Sequence, residues 1–289
     1  MGSRQQIKQR IGSVKNTKQI TRAMQLVSAS KLRRAQEAAA GPTAYAQLAR
    51  EILTRLRQLA ADDSEFRLFT ARPVKHRLLI VMTSDLGLAG AYDANVLRRM
   101  VQEARVDQDK GVKTSVIAIG RKAAHTASAL AGVTVEAVYQ EMPDHPTADQ
   151  LRPILSSVVG LFADGVVDQV DIIHTHFKST ISQEVELKQL LPAGFEEVEL
   201  SDEVARADIE PSAESLLRSA TLRLLEAQIY QAFLDAVAAE HSMRMLAMKS
   251  ATDNASDLID DLTLVYNNAR QAAITQELAE ITGGAEAMK

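Results

Sequence analysis

At 289 residues, 46% of them apolar, the chain is long enough to bury a sizeable core. It contains no cysteine, which excludes a disulfide framework, a thiolate metal site, a cysteine nucleophile and a thiol redox switch. The 33 Lys and Arg against 37 Asp and Glu leave a formal charge of −4, too mild for wholesale nucleic-acid binding, and 4% aromatic residues with no Trp favour Ala-rich helix contacts over an aromatic groove.

The charge is unevenly spread. Residues 1–36 carry nine bases (Arg4, Lys8, Arg10, Lys15, Lys18, Arg22, Lys31, Arg33, Arg34) and no acid, whereas residues 240–289 carry eight acids against four bases. The two ends are electrostatic complements. A basic, acid-poor start is also the composition of an organellar transit peptide. No apolar run approaches the roughly 20 residues of a membrane span, so the sequence reads as neither integral nor secreted. Ile7, Ile11 and Val14, then Ile20, Met24 and Val27, recur at helical steps and predict a long N-terminal helix. Gly41-Pro42 breaks or bends it, and Leu48, Ile52, Leu56 and Leu59 resume the pattern, so residues 1–61 read as one or two consecutive helices.

From His76 the period changes to a continuous apolar run, the mark of a buried strand. Further strands are expected at 114–119, 133–139 and 169–177, separated by helical stretches near 94–104, 121–130 and 147–163. Such alternation predicts a mostly parallel, Rossmann-like sheet with crossover helices, and the alternating run 182–187 adds an antiparallel edge strand. The α/β domain is placed at 73–200.

Between Pro211 and Thr282 there is neither Gly nor a further Pro, and Leu258, Leu262, Val265, Ala269, Ala272, Gln276 and Ala279 follow a heptad. The C-terminal helix is placed at 211–289, and its stretch from Pro211 to Thr282 alone would be about 100 Å long, against about 50 Å for a compact globule of this chain length. It must protrude, and its apolar stripe needs a partner. The fold expected is a long antiparallel coiled coil of N- and C-terminal helices with the α/β domain inserted between them.

Few motifs carry chemistry. The turn Ser84–Ala91 follows a strand and precedes a helix, where backbone amides can cradle phosphate, but it has two glycines and no P-loop lysine. His174 and His176 share one strand face and could offer imidazoles to a metal, although ordinary strand residues are the simpler reading. No G-x-S-x-G elbow is present. The basic N-terminal face could meet nucleic acid, but it lacks interleaved aromatics, and the acidic C-terminal helix is a simpler counterpart. Met24, Met243, Met245 and Met248 read as an adaptable surface or as filler between helices.

The runs IKQRIGSVKNTKQITRAMQLVSASKLRRAQ, SDLGLAGAYDANVL and AEHSMRMLAMKSATDNASDLIDDLTLVYNNARQAAITQELAEITGGAEA closely resemble the gamma subunit of bacterial rotary F-type ATP synthases. The resemblance implies a non-catalytic central stalk without cofactor or metal. Its terminal helices would turn inside a ring of three alpha and three beta subunits. Its α/β foot would meet the epsilon subunit and the membrane c-ring, on the cytoplasmic side of the membrane. By the same resemblance Met24, Arg33 and Arg34 face the acidic levers of beta, Arg270, Gln271, Thr275 and Glu277 meet the beta catch loop, and Arg244 matches a family arginine lower on the shaft. Two departures stand out: Leu86 replaces the usual arginine of the central turn, and the paired-cysteine insertion of the chloroplast type is absent. The alternatives are a nucleotide-dependent enzyme built on the α/β domain and a nucleic-acid-binding coiled coil.

Overall fold

The structure, a computed structural model, describes residues 4–39, 51–52, 54–56, 67–194 and 212–286. The expected break at Gly41-Pro42, the helix start at Pro211 and the last residues of the α/β range lie outside them, whereas residues 51–52 and 54–56 are helical. By internal contacts the chain divides into two compact units, Met1–Ala29 with Arg244–Lys289, and Ser30–Met243. Two long helices run through both: α1 (Arg4–Ala39) and α5 (Ala213–Glu286). With 74 residues, α5 is about 110 Å long.

The first unit is an antiparallel helix pair. Burial recurs on α1 at Ile7, Ile11, Val14, Lys18, Thr21, Gln25 and Ser28, and on α5 at Met245, Met248, Thr252, Ala255, Ile259, Leu262, Tyr266, Ala269 and Ala273. Both series alternate steps of three and four, the spacing of a coiled-coil seam. The buried hydroxyls of Thr21 and Thr252 meet at 2.8 Å. Followed outward from that pair in opposite chain directions, the two series stay in step: Val14 falls level with Ile259, Ile11 with Leu262 and Ile7 with Tyr266.

This register corrects the expected seam. Leu262 and Ala269 are on it, but Leu258 and Val265 are 39% and 51% exposed, and Ala272, Gln276 and Ala279 are exposed too. On α1 the stripe leaves the seam after Val14, with Ile20 and Val27 60% and 55% exposed. Apolar residues occupy two faces of each helix, so periodicity alone selects the wrong one.

The second unit holds a five-stranded sheet of order β3-β2-β1-β4-β5, made of β1 (His76–Met82), β2 (Lys113–Ile119), β3 (Val133–Tyr139), β4 (Gln169–Phe177) and β5 (Gln183–Leu191). All pairings are parallel except β4 with β5. The crossovers are α2 (Tyr92–Asp109), α3 (Arg121–Ala129) and α4 (Ala148–Ala163). Central β1 is buried from Arg77 to Met82, because neighbours pair it on both edges and layers cover both faces. Leu79, Val81, Val116, Ala118 and Ile173 pack with Val96 and Met100 of α2 and with Ala123 and Ala127 of α3. Helix α4 buries Leu151, Ile154, Val158 and Phe162 and packs on β4. Arg77 is the buried cation of this layer, held by Asp171, Glu103 and Asp107.

Candidate functional site

The strand order reverses between β1 and β4, which is where a doubly wound sheet takes its ligand, outside the carboxyl ends of its strands. Here that place is already filled. Ala89 of the turn and Tyr92 at the start of α2 pack against Ala239 of α5, with Phe177 and Met243 alongside. The turn is tied up internally: the Ser84 amide and hydroxyl donate to Asp93 at 2.9 and 2.7 Å, and the Asp85 carboxylate accepts from the amides of Arg121 and Glu141 at 3.0 and 2.7 Å. Gly120 sits at φ +94°, and a Cβ there would lie 2.2 Å from the Thr83 carbonyl oxygen, so this strand-to-helix junction demands glycine for packing. Leu86, at the position of the family arginine, is 65% exposed.

Asp144, in the loop before α4, binds Lys31 of α1 at 3.0 Å and His241 of α5 at 3.2 Å. The hydrogen bond with His241, and then Lys31, hold its carboxyl well below the usual carboxylate range although burial opposes them. Three segments distant in sequence are tied at one carboxylate.

On the sheet face towards α5, His174 and His176 of β4 stand across from Glu186 and Glu184 of β5. His176 Nδ1 lies 2.8 Å from Asp235 of α5, and burial pushes the His174 imidazole below its ordinary value, favouring the neutral ring.

The residues expected to meet partners are mostly on the surface. Arg33 and Arg34 are exposed, with Arg33 paired to Glu37 at 3.0 Å, and Met24 is partly buried beside the seam. Arg270, Gln271, Thr275 and Glu277 are all exposed on two successive turns of α5, where the Thr275 hydroxyl donates to the Gln271 carbonyl at 3.0 Å. Arg244 is only 6% exposed, unlike the rest. Among the described residues the ion pairs of α1 are Lys31 with Asp144 and Arg33 with Glu37, so its bases do not reach the acidic end of α5. The basic face points outward instead.

Periodicity placed several of the outer apolar residues on the seam and passed over the others. Ile20, Leu26 and Val27 on α1, and Leu258, Leu264 and Val265 on α5, stand exposed beside the seam. Arg4 falls level with Ala269, so the turns that follow Ala273 run beyond the described part of α1, and there Ile274, Leu278 and Ile281 are 46%, 58% and 68% exposed. A helix end with apolar residues this exposed is complementary to an enclosing protein surface. The signal was present as apolar residues in excess of one stripe.

A helix pair bearing an inserted α/β domain whose ligand crevice is filled, and whose charged and apolar residues face outward, defines a protein that works through partner surfaces. Residues 3–288 match the family described as ATP synthase. The chain is 39% identical over 288 residues to the ATP synthase gamma chain of Stenotrophomonas maltophilia and 40% identical to that of Xanthomonas axonopodis pv. citri, covering all of each chain. Its fold is similar to a chain in the mitochondrial ATP synthase of Euglena gracilis, at TM-score 0.66 and 16% identity over 99% of this chain and 94% of that one. It is also similar to one in the central stalk and c-ring structure from Tetrahymena thermophila, at TM-score 0.55 and 20% identity over 80% and 99%. The chain belongs to the ATP synthase gamma chain family.

Proposed function

We propose that this chain is the rotor shaft of a proton-translocating ATP synthase. It couples rotation of the membrane c-ring to conformational cycling of the catalytic beta subunits, and holds no catalytic residue itself. Residues 1–61 and 211–289 supply the shaft and 73–200 the foot. The shaft turns against the alpha and beta subunits, and the foot meets epsilon and the c-ring on the cytoplasmic side of the membrane. No helix among the described residues is long and apolar enough to cross a membrane, which suits a peripheral subunit.

The observation that carries this reading is the far end of α5. Exposed Ile274, Leu278 and Ile281 are complementary to an apolar sleeve, and the flanking Arg270, Gln271, Thr275 and Glu277 to polar contacts around it. Met24, Arg33 and Arg34 offer a mixed apolar and basic surface to acidic beta segments, and buried Arg244 has only its small exposed area to give. The filled crevice at Ala89, Tyr92 and Ala239 weighs against a nucleotide-dependent enzyme, as does the commitment of Ser84 to Asp93. Affinity purification of the tagged chain from detergent-solubilised membranes tests the reading. Recovery of alpha, beta, epsilon and c subunits is expected; a chain that purifies alone and binds ATP or NAD at micromolar strength would overturn it.

A further inference from the structure

A cleft of about 650 Å³ lies between the sheet edge and α5, lined by His174, His176, Glu186, Gln231 and Asp235 among others. Three of these converge. His174, His176 and Asp235 each offer one ligand atom, and the three atoms lie within 4.8 Å of one another. His174 is 2% exposed, and its Nδ1 has no hydrogen-bond partner. A buried ring nitrogen without a partner costs free energy in an apolar interior.

We propose that His174, His176 and Asp235 form a binding site for a divalent transition-metal ion of the zinc class. Two imidazoles and one carboxylate suit zinc or cobalt and are poor donors for magnesium or calcium, which prefer oxygen alone. Ligand atoms around a tetrahedral ion stand about 3.3 Å apart, so the cluster closes on an ion by about an ångström of side-chain movement. The supporting contacts are in place. The Gln231 amide donates to Asp235 Oδ1 at 3.2 Å, orienting the carboxylate whose Oδ2 faces His176. Glu186, whose Oε2 is 4.0 Å from His174 Nε2, is the nearest fourth ligand, with water as the alternative. The cations on the cleft wall are Arg99, Lys178 and Lys188; the first two are engaged by Glu103 and Glu184. A bound ion would tie α5 to β4 within the second unit, between residues 59 positions apart.

The test is calorimetric titration of Zn²⁺ into the metal-free full-length chain, with Mg²⁺ as the contrast and Co²⁺ absorption reporting coordination. One Zn²⁺ per chain is expected, with visible Co²⁺ bands and a higher melting temperature on zinc addition. Affinity should fall more than about tenfold in His176→Gln and in Asp235→Asn, and remain unchanged in His125→Gln, an exposed histidine on α3. His176 is partly exposed, so its substitution opens no core, and a metal-free melt matching wild type shows that the fold persists. Absence of zinc binding overturns the proposal, as does zinc binding that all three variants retain.

Discussion

Leu262 and Leu264 are two residues apart on α5, yet one faces the seam and the other is 63% exposed. Changing each to alanine removes the same atoms from two environments. Full burial of a leucine side chain contributes about 1.5–3 kcal/mol, and Leu262 is only partly buried in a two-helix seam, so Leu262→Ala should cost about 1–2 kcal/mol. Leu264→Ala should stay within about 0.5 kcal/mol, since alanine is at least as good a helix former and no packing is lost. Global unfolding is a poor readout for a chain of two units, so the assay is amide hydrogen exchange over residues 255–269. Leu262→Ala should speed exchange there by about 5- to 30-fold, and Leu264→Ala should leave it nearly unchanged. Equal acceleration by both variants, or a larger effect of Leu264→Ala, would refute the seam register.

Other outcomes follow from the same structure. Gly120→Ala puts a Cβ 2.2 Å from the Thr83 carbonyl oxygen at positive φ, and should lower stability by about 3 kcal/mol or more in urea titration. The Asp144 carboxyl has a folded pKa below its ordinary 3.8, so the stability it contributes is complete above that value and is lost as pH falls towards the folded one. The advantage of wild type over Asp144→Asn should therefore be present at about pH 5 and shrink below about pH 4, measured by thermal melts across that range. Arg270→Ala with Gln271→Ala removes only exposed groups, so the melt of the chain should shift by less than about 0.5 kcal/mol while ATP turnover of the assembled complex falls. Unchanged turnover would show that these two residues meet no partner that matters.

The α/β domain was highly legible because its strands are short apolar runs between helical stretches. The bounds of β3 and β4 coincide with the expected 133–139 and 169–177, and the antiparallel edge at β5 follows from its alternation after a short return. Length and the absence of Gly and Pro likewise announced α5. The seam was less legible. Leu258 and Val265 satisfy a heptad as well as Ile259 and Tyr266 do, and only the three-dimensional pairing at Thr21 and Thr252 decides between the registers. Charge complementarity between the termini suggested ion pairs, but the α1 bases sit on an outward face. His174 and His176 could be read as a strand pair, whereas their third neighbour, Asp235, sits on a helix that packs there for reasons unrelated to sequence proximity. The filling of the ligand crevice by Ala239 was equally hidden, since an alanine in a helix announces nothing.

Rotation of this chain within its ring is the central claim, and it can be observed directly. The chain has no cysteine, so Asp109→Cys, at the exposed end of α2, provides a unique attachment point for a fluorescent or bead probe. With the catalytic ring fixed to a surface and the assembled complex supplied with ATP, the probe should turn continuously in one direction, at a rate that tracks ATP hydrolysis. Steady hydrolysis with a stationary probe would contradict the account.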